Sequence, residues 1–263
     1  MHLSSLLVYP VKSCAGISVV EWDVDHFGFR FDRRWMVITP RGQFLTQREV
    51  PALATVKPRI TPPHLRLNAP GLPELVIALA PMGGRPVATM VWNDPVSVVA
   101  PDHKADDWFS RAVGQEVVLA YMPEDVVRSV DLTYAPDGGR TGFADGFPFL
   151  LAGEASLAAL NARLVAPLPM NRFRPNLVVS GSGPFAEDGW RSIRVGGIPM
   201  RVVKPCARCV VTTTDQATGL RDGDEPLRTL ATFRRLEGKV LFGQNAVHYG
   251  TGTLRVGDPV TAE

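Results

Sequence analysis

Two cysteines, Cys206 and Cys209, sit two residues apart in the stretch KPCARCVVTTTD, from Lys204 to Asp215. Such a pair can be half of a zinc site, a redox dithiol, a single metal ligand with a bystander, or part of a core. A structural zinc site needs four ligands, usually from a second Cys or His pair at similar spacing. The remaining candidates, Cys14 with His2, His26, His64, His103 and His248, are scattered and form no pair. A thioredoxin-type thiol is activated at a helix N-terminus, whereas the five β-branched residues after Cys209 favour a strand. Two readings stay open: small buried hydrophobes, or a thiolate ligand. Lys204 and Arg208 put positive charge beside the thiols, which promotes the thiolate that binds metal. A lone thiolate at a strand entrance suits a cofactor that brings most of its own ligands.

Other residues could do chemistry elsewhere. YPVKSCAG offers Lys12 and Ser13 at a turn, either an anion pocket or a solvated lysine on a loop. Arg33 and Arg34 stand at a strand start, so their side chains should point to opposite faces. Arg172 and Arg174 should share a face, with Asn176 beyond them offering amide donors and an acceptor to the edge of a heterocycle. Asp145 lies in a glycine-flanked turn, where an acid is a turn former or a catalyst. Gln244 and Asn245 follow a glycine, and His248 in that strand-like stretch reads as packing. No dinucleotide-binding glycine fingerprint, Walker-type phosphate loop or hydrolase nucleophile elbow occurs.

The elements that must position these groups are short. Twenty-four glycines and 23 prolines in 263 residues cut the chain into brief pieces, which favours strands over long helices. Strands are expected in LSSLLVYPV, RRWMVIT, LPELVIAL, MVWNDPVSVVA and EVVLAYM, then FPFLLA, PNLVVSG, SIRVGGIPMRVV, CVVTTTD and GTLRVGDPV. That spacing suggests a barrel or sandwich. Three helices are expected: one capped by Asp102 and ended by Gly114, one over residues 154–164, and one capped by Asp224 before Pro226. A net charge of +2 gives no general attraction to nucleic acid or membrane. Three cysteines argue for a reducing compartment, so a cytoplasmic protein is expected.

Taken in order, YPVKSCAGISV, DRRWMVI, FADGFPFLLAGEASLAALN, NRFRPNLVVSG, PFAEDGWRSIRVGG, KPCARCVVTTTDQATG, LFGQNAV and LRVGDPV resemble the MOSC family (molybdenum cofactor sulfurase C-terminal domain). The likeness is to its two-domain form, which includes the mitochondrial amidoxime-reducing components and their bacterial relatives. It runs through nearly the whole chain. It implies a mainly β fold with a few helices (α+β): a β-rich N-terminal domain over residues 1–120 and a MOSC β-barrel domain over 121–263. A molybdenum–molybdopterin cofactor would lie between them. The resemblance makes Cys209 the protein ligand to molybdenum and leaves Cys206 a bystander. It carries cofactor contact onto Lys12, Ser13, Arg33, Arg174, Asn176 and Arg208, and sets Asp145 close to the metal as a catalytic candidate.

The implied activity is reduction of N-hydroxylated compounds (hydroxylamines, amidoximes or N-hydroxylated bases), independent of pyridoxal phosphate. No hydrophobic N-terminal anchor is seen, so no membrane role is expected. No cysteines remain to hold an iron–sulfur cluster, so electrons are expected from a separate flavin or iron–sulfur reductase. The alternatives are a sulfur carrier with a Cys209 persulfide and a non-catalytic cofactor-binding protein.

Overall fold

Short apolar bursts between turn residues can bury themselves only by pairing, and the chain of this computed structural model, which describes residues 1–262, pairs into four sheets. The first half runs β1 (His2–Val8), β2 (Ile17–Val19), β3 (Glu21–Asp25), β4 (Gly28–Phe29) and β5 (Trp35–Ile38). It continues through β6 (Lys57–Thr61), β7 (His64–Asn68), β8 (Leu75–Ala78), β9 (Arg85–Val91), β10 (Asp94–Ala100), helix α1 (His103–Val113) and β11 (Val118–Tyr121). The second half holds β12 (Phe149–Gly153), α2 (Glu154–Asn161), β13 (Leu177–Ser180), β14 (Ser192–Val195) and β15 (Ile198–Ala207). The chain then forms α3 (Leu227–Phe233), β16 (Arg235–Leu236), β17 (Lys239–His248), β18 (Gly252–Arg255) and β19 (Val260–Ala262). The mainly β, α+β character expected from the sequence is the one observed.

The largest sheet has the order β19-β14-β15-β17-β12-β13-β1-β2, with β16 on β17. Its core holds Leu3, Leu6, Phe149, Leu151, Leu177, Val179, Met200 and Ala246. A second core, with Trp35, Leu53, Leu65, Trp108 and Phe109, lies under α1 and the sheets β5-β11-β10-β9 and β6-β7-β8. The sheets cross the middle of the sequence. β1 and β2 join the large sheet, β3 pairs with β18, and β11 spans residue 120 and pairs with β5. The turn after β1 therefore passes from one core to the other: Val11 bridges to Trp35, and Cys14 is buried in the second core.

Helix α1 starts and stops where its residues say: the Asp102 side chain accepts from the Lys104 N–H, and Gly114 closes the helix in the left-handed region. Several local expectations are corrected. MVWNDPVSVVA and SIRVGGIPMRVV are hairpins rather than single strands, because Trp92–Asn93 and Gly196–Gly197 make two-residue turns. The residues after Cys209 form a 3-10 turn, Val210–Thr213, instead of a strand. There the Thr212 and Thr213 hydroxyls donate back to the carbonyls of Cys209 and Val210, a local competition that β-branched threonine allows. Helix α2 ends at Asn161, although Leu157, Leu160 and Leu164 all reach a smaller core with Phe173, Leu230 and Phe242. For α3, the Asp224 side chain gives no cap; the Glu225 carboxylate accepts from the Thr229 N–H instead.

β17 carries a bulge that matters for the site. Pro205 pairs with Gln244 but Ala207 pairs with Leu241, so β17 holds one residue more than β15 at this point. Gly243 takes φ +76° there, and a Cβ on it would lie 2.8 Å from the Leu151 carbonyl oxygen. The bulge re-aims the strand end that leads into Cys206 and Cys209. We expect Gly243→Ala to lower unfolding free energy by about 2 kcal/mol through left-handed strain and backbone overlap, measured by urea titration. An unchanged midpoint would contradict that reading.

Candidate functional site

One cavity lies at the crossing of the two cores, and its lining is assembled from segments far apart in the sequence. The turn after β1 gives Lys12 and Ser13, the approach to β5 gives Arg33, and the segment before the 3-10 turn Pro51–Thr55 gives Thr46 and Arg48. Residues 144–147 give Asp145, the approach to β13 gives Arg174 and Asn176, and the end of β15 gives Cys206, Arg208 and Cys209. The eight residues to which the family resemblance assigns the metal or its cofactor all line this one cavity.

Lys12 is buried at 6% exposure rather than solvated. Its ammonium donates to the Phe143 carbonyl at 2.8 Å and to Asp145 Oδ1 at 2.6 Å. Burial pulls the Lys12 ammonium below its ordinary value, and Asp145 opposes that pull. Asp145 opens onto the cavity with 61% of its side chain exposed. Crowding by the cavity walls pushes its carboxyl up, but Lys12, then Arg48 and Arg33, overcome that and hold it well below the usual carboxylate range. Asp145 is therefore ionised at neutral pH. Arg48 Nη2 stands 3.8 Å from its other oxygen.

Arg33 is held from three sides. Its Nη1 donates to Asp32 and, at 2.9 Å, to Asn176 Oδ1, while Nη2 reaches the Arg174 carbonyl at 3.3 Å. The Asn176 amide is occupied within the protein: Nδ2 donates to Asp32 Oδ1 and to the Leu7 carbonyl, and Oδ1 also accepts from the Leu150 N–H. Its geometry suits bracing Arg33 rather than reading a heterocycle edge. Arg34 is also buried, but it turns away, over the Phe27 ring, to donate to the Met122 carbonyl. The arginines before β13 do not share a face, because residues 170–172 form a 3-10 turn. Arg172 points to Thr213 and Asp215, whereas Arg174 enters the cavity and donates to Gln216 Oε1 at 3.3 Å. Burial, with Arg33 nearby, lowers the Arg174 guanidinium to about 10. Ser13, Arg33 and Arg174 have φ of 69°, 46° and 55°, so three left-handed non-glycine residues meet at this cavity.

Cys206 and Cys209 are both half-buried and free. They stand at the exit of β15 rather than at a strand entrance. Arg208 Nη1 donates to Cys206 Sγ at 2.8 Å and Nη2 to the Phe173 carbonyl at 2.7 Å, while its buried Nε has no partner. Phe173 in turn stacks on Phe242 at 3.9 Å beside the Gly243 bulge, which ties the loop to the core. Of the remaining sequence candidates, Asn245 lines the cavity, Gln244 binds Asp188, and His248 Nε2 contacts the Asp25 carbonyl.

Sequence reasoning missed three supports. Buried Arg128 donates to the carbonyls of Gly142, Ala144 and Asp145 and to Asp94, fixing the loop that presents Asp145. Gln47 and Gln216 exchange amide hydrogen bonds at 3.0 and 2.9 Å, and Gln47 also donates to the Ser13 carbonyl. Arg221 donates to the carbonyls of Gln47 and Arg48, so the first half is clasped to the turn after Cys209. No motif announces these contacts, since each joins residues far apart in sequence.

Among the described residues, no three His, Cys, Asp or Glu side chains gather to hold a metal ion. A metal at Cys209 would have to arrive with other donors. The site is thus a thiol set in a strongly basic cavity of a two-part β fold. Residues 1–116 match the MOSC N-terminal beta barrel domain and residues 138–261 match the MOSC domain. The chain is 33% identical to mouse "Mitochondrial amidoxime-reducing component 1" over 98% of its own length and 81% of that protein. It is 32% identical to the human protein of that name, again over 98% of its length and 82% of the relative. It is also 33% identical to rice (Oryza sativa subsp. japonica) "Molybdenum cofactor sulfurase" over 92% of its length, but spans only 32% of that protein. The chain belongs to the MOSC family.

The Lys12–Asp145 pair gives a pH prediction. A carboxyl that titrates lower folded than unfolded contributes stability above the ordinary value near 3.8, lost as pH falls through its folded value. Lys12→Met leaves the desolvation of Asp145 less opposed, so its titration should move upward. Carboxyl carbon NMR of the wild type and variant reads this directly; an unmoved titration would show that Lys12 does not set the Asp145 charge.

Proposed function

We propose that this protein is a molybdenum cofactor-dependent reductase of N-hydroxylated compounds, with Cys209 as the protein's ligand to the metal. The convergence of Cys209, five cations and ionised Asp145 on one cavity carries the reading. A soft thiolate suits a centre whose organic part supplies further sulfur donors. The anionic phosphate of that organic part suits Lys12, Ser13, Arg33, Arg174 and Arg208, and the unpartnered buried Nε of Arg208 is a donor left for such a ligand. Asn176 would serve by fixing Arg33.

When bound, the cofactor supplies the two-electron step that removes oxygen from an N–O bond. Overall, an N-hydroxyl group, two electrons and two protons give the N–H product and water. Ionised Asp145 accepts hydrogen bonds from a substrate N–H or O–H and so orients the N–O group. Lys12 keeps a proton at Nζ, 2.6 Å from that carboxylate, and burial loosens its hold on it. Phe147, Phe173 and Leu150 line the same cavity and limit water there. Electrons would come from a separate flavin or iron–sulfur protein. No helix among the described residues is long and apolar enough to cross a membrane, and three free cysteines support a reducing, cytoplasmic setting.

A second reading keeps Cys209 as a persulfide-bearing sulfur carrier. It is favoured by the likeness to the sulfurase, of which this chain spans a third or less. Molybdenum content separates the two. Protein purified from cells able to make the cofactor should contain about one molybdenum per chain and reduce an amidoxime with an artificial electron donor. Cys209→Ser should lose turnover and retain less metal, while Cys206→Ser keeps most of each. Metal-free wild-type protein from such cells, or full turnover by Cys209→Ser, would overturn the reductase reading.

A further inference from the structure

Tyr9 is buried at 1% exposure immediately before the turn that carries Lys12 and Ser13. The Arg33 and Arg174 guanidinium carbons each lie 4.4 Å from the centre of its ring. The ring is fixed at both ends. Its hydroxyl donates to the Pro175 carbonyl at 3.1 Å, and its backbone N–H donates to Asp32 Oδ1 at 2.7 Å. One edge is fitted to Gly16: a Cβ there would stand 2.5 Å from Tyr9 Cε1, although Gly16 itself has no left-handed conformation.

Two guanidinium ions held against one ring repel, and Asp32 makes its ion pair with Arg33 rather than with Arg174. The electron-rich face of an aromatic ring offsets that repulsion without consuming hydrogen-bond donors. A carboxylate in the same place would neutralise the arginines; a ring leaves their charge and spare N–H groups for a ligand. We propose that Tyr9 is a positioning residue, an aromatic platform seated on Gly16 that holds Arg33 and Arg174 together, aimed at the anionic group of the ligand. The inference deepens the proposed function, resting on it for the nature of that ligand but not for the platform itself. Position 16 is glycine because the platform occupies the space of a side chain there.

The test uses Tyr9→Phe, Tyr9→Leu and Gly16→Ala, each checked for folding by circular dichroism. Two quantities are read: molybdenum per chain after expression in cofactor-producing cells, and the calorimetric affinity of metal-free protein for inorganic pyrophosphate. Tyr9→Phe keeps the ring and should match the wild type in both. Tyr9→Leu and Gly16→Ala should bind pyrophosphate about tenfold more weakly, the scale of lost cation–π contacts, and should carry correspondingly less metal. Should Tyr9→Leu fail to fold, Gly16→Ala, with Tyr9 intact but displaced, decides. A folded Gly16→Ala protein with wild-type pyrophosphate affinity overturns the platform. So does a Tyr9→Phe protein as weak as the others, or a wild type that binds no pyrophosphate. Ring-dependent pyrophosphate binding in a wild type without molybdenum would sink the reductase reading and leave the platform standing.

Discussion

Five cations, Lys12, Arg33, Arg48, Arg174 and Arg208, line a cavity in which Asp145 is the carboxylate among the lining residues. Like charges brought together away from bulk water are costly, and the fold meets that cost with neutral partners more than with acids. Carbonyls of Phe143, Phe173 and residue 174 itself accept from Lys12, Arg208 and Arg33. Aromatic faces take the rest: Tyr9 lies against Arg33 and Arg174, and Trp92 against Arg48. Much of the architecture can be understood as what is needed to keep this positive charge concentrated and incompletely neutralised, ready for an anion.

That requirement explains why the two parts of the chain are interleaved. The turn with Lys12 and Ser13 comes off a strand of the large sheet and bridges to Trp35, so it sits where both cores meet. The Gln47–Gln216 pair and Arg221 then clasp the first half to the segment that follows Cys209. Cys209 and the arginines before β13 come from the second half; Lys12, Arg33 and Arg48 come from the first. Neither half holds the complete cavity, which gives a physical reason for the family's two matched regions to occur together.

Much of this was legible in the sequence, for reasons that differ between residues. Asp102 and Gly114 bound α1 because capping is local chemistry that a few residues decide. The eight residues assigned by resemblance are gathered by ordered fragments of a known family, not by spacing; taken singly, Lys12 fits an anion pocket or a solvated loop and Asp145 a turn former or a catalyst. What escaped was non-local. The β-branched run after Cys209 became a 3-10 turn because its threonines satisfied nearby carbonyls and Arg172 captured the Thr213 carbonyl. By residue type Asn176 suits reading a ligand, but Asp32, Leu7, Arg33 and Leu150 occupy its amide. Arg128 and Arg48 had no motif at all, since their partners lie on other segments.

The proposed catalysis requires the sulfur of Cys209 to be bonded to the metal within this basic cavity. X-ray absorption at the molybdenum edge of the loaded protein tests that bond most directly, compared with Cys209→Ser protein reconstituted with the same cofactor. One fewer sulfur neighbour in the variant is the predicted result. Equal sulfur counts in the two spectra would contradict it.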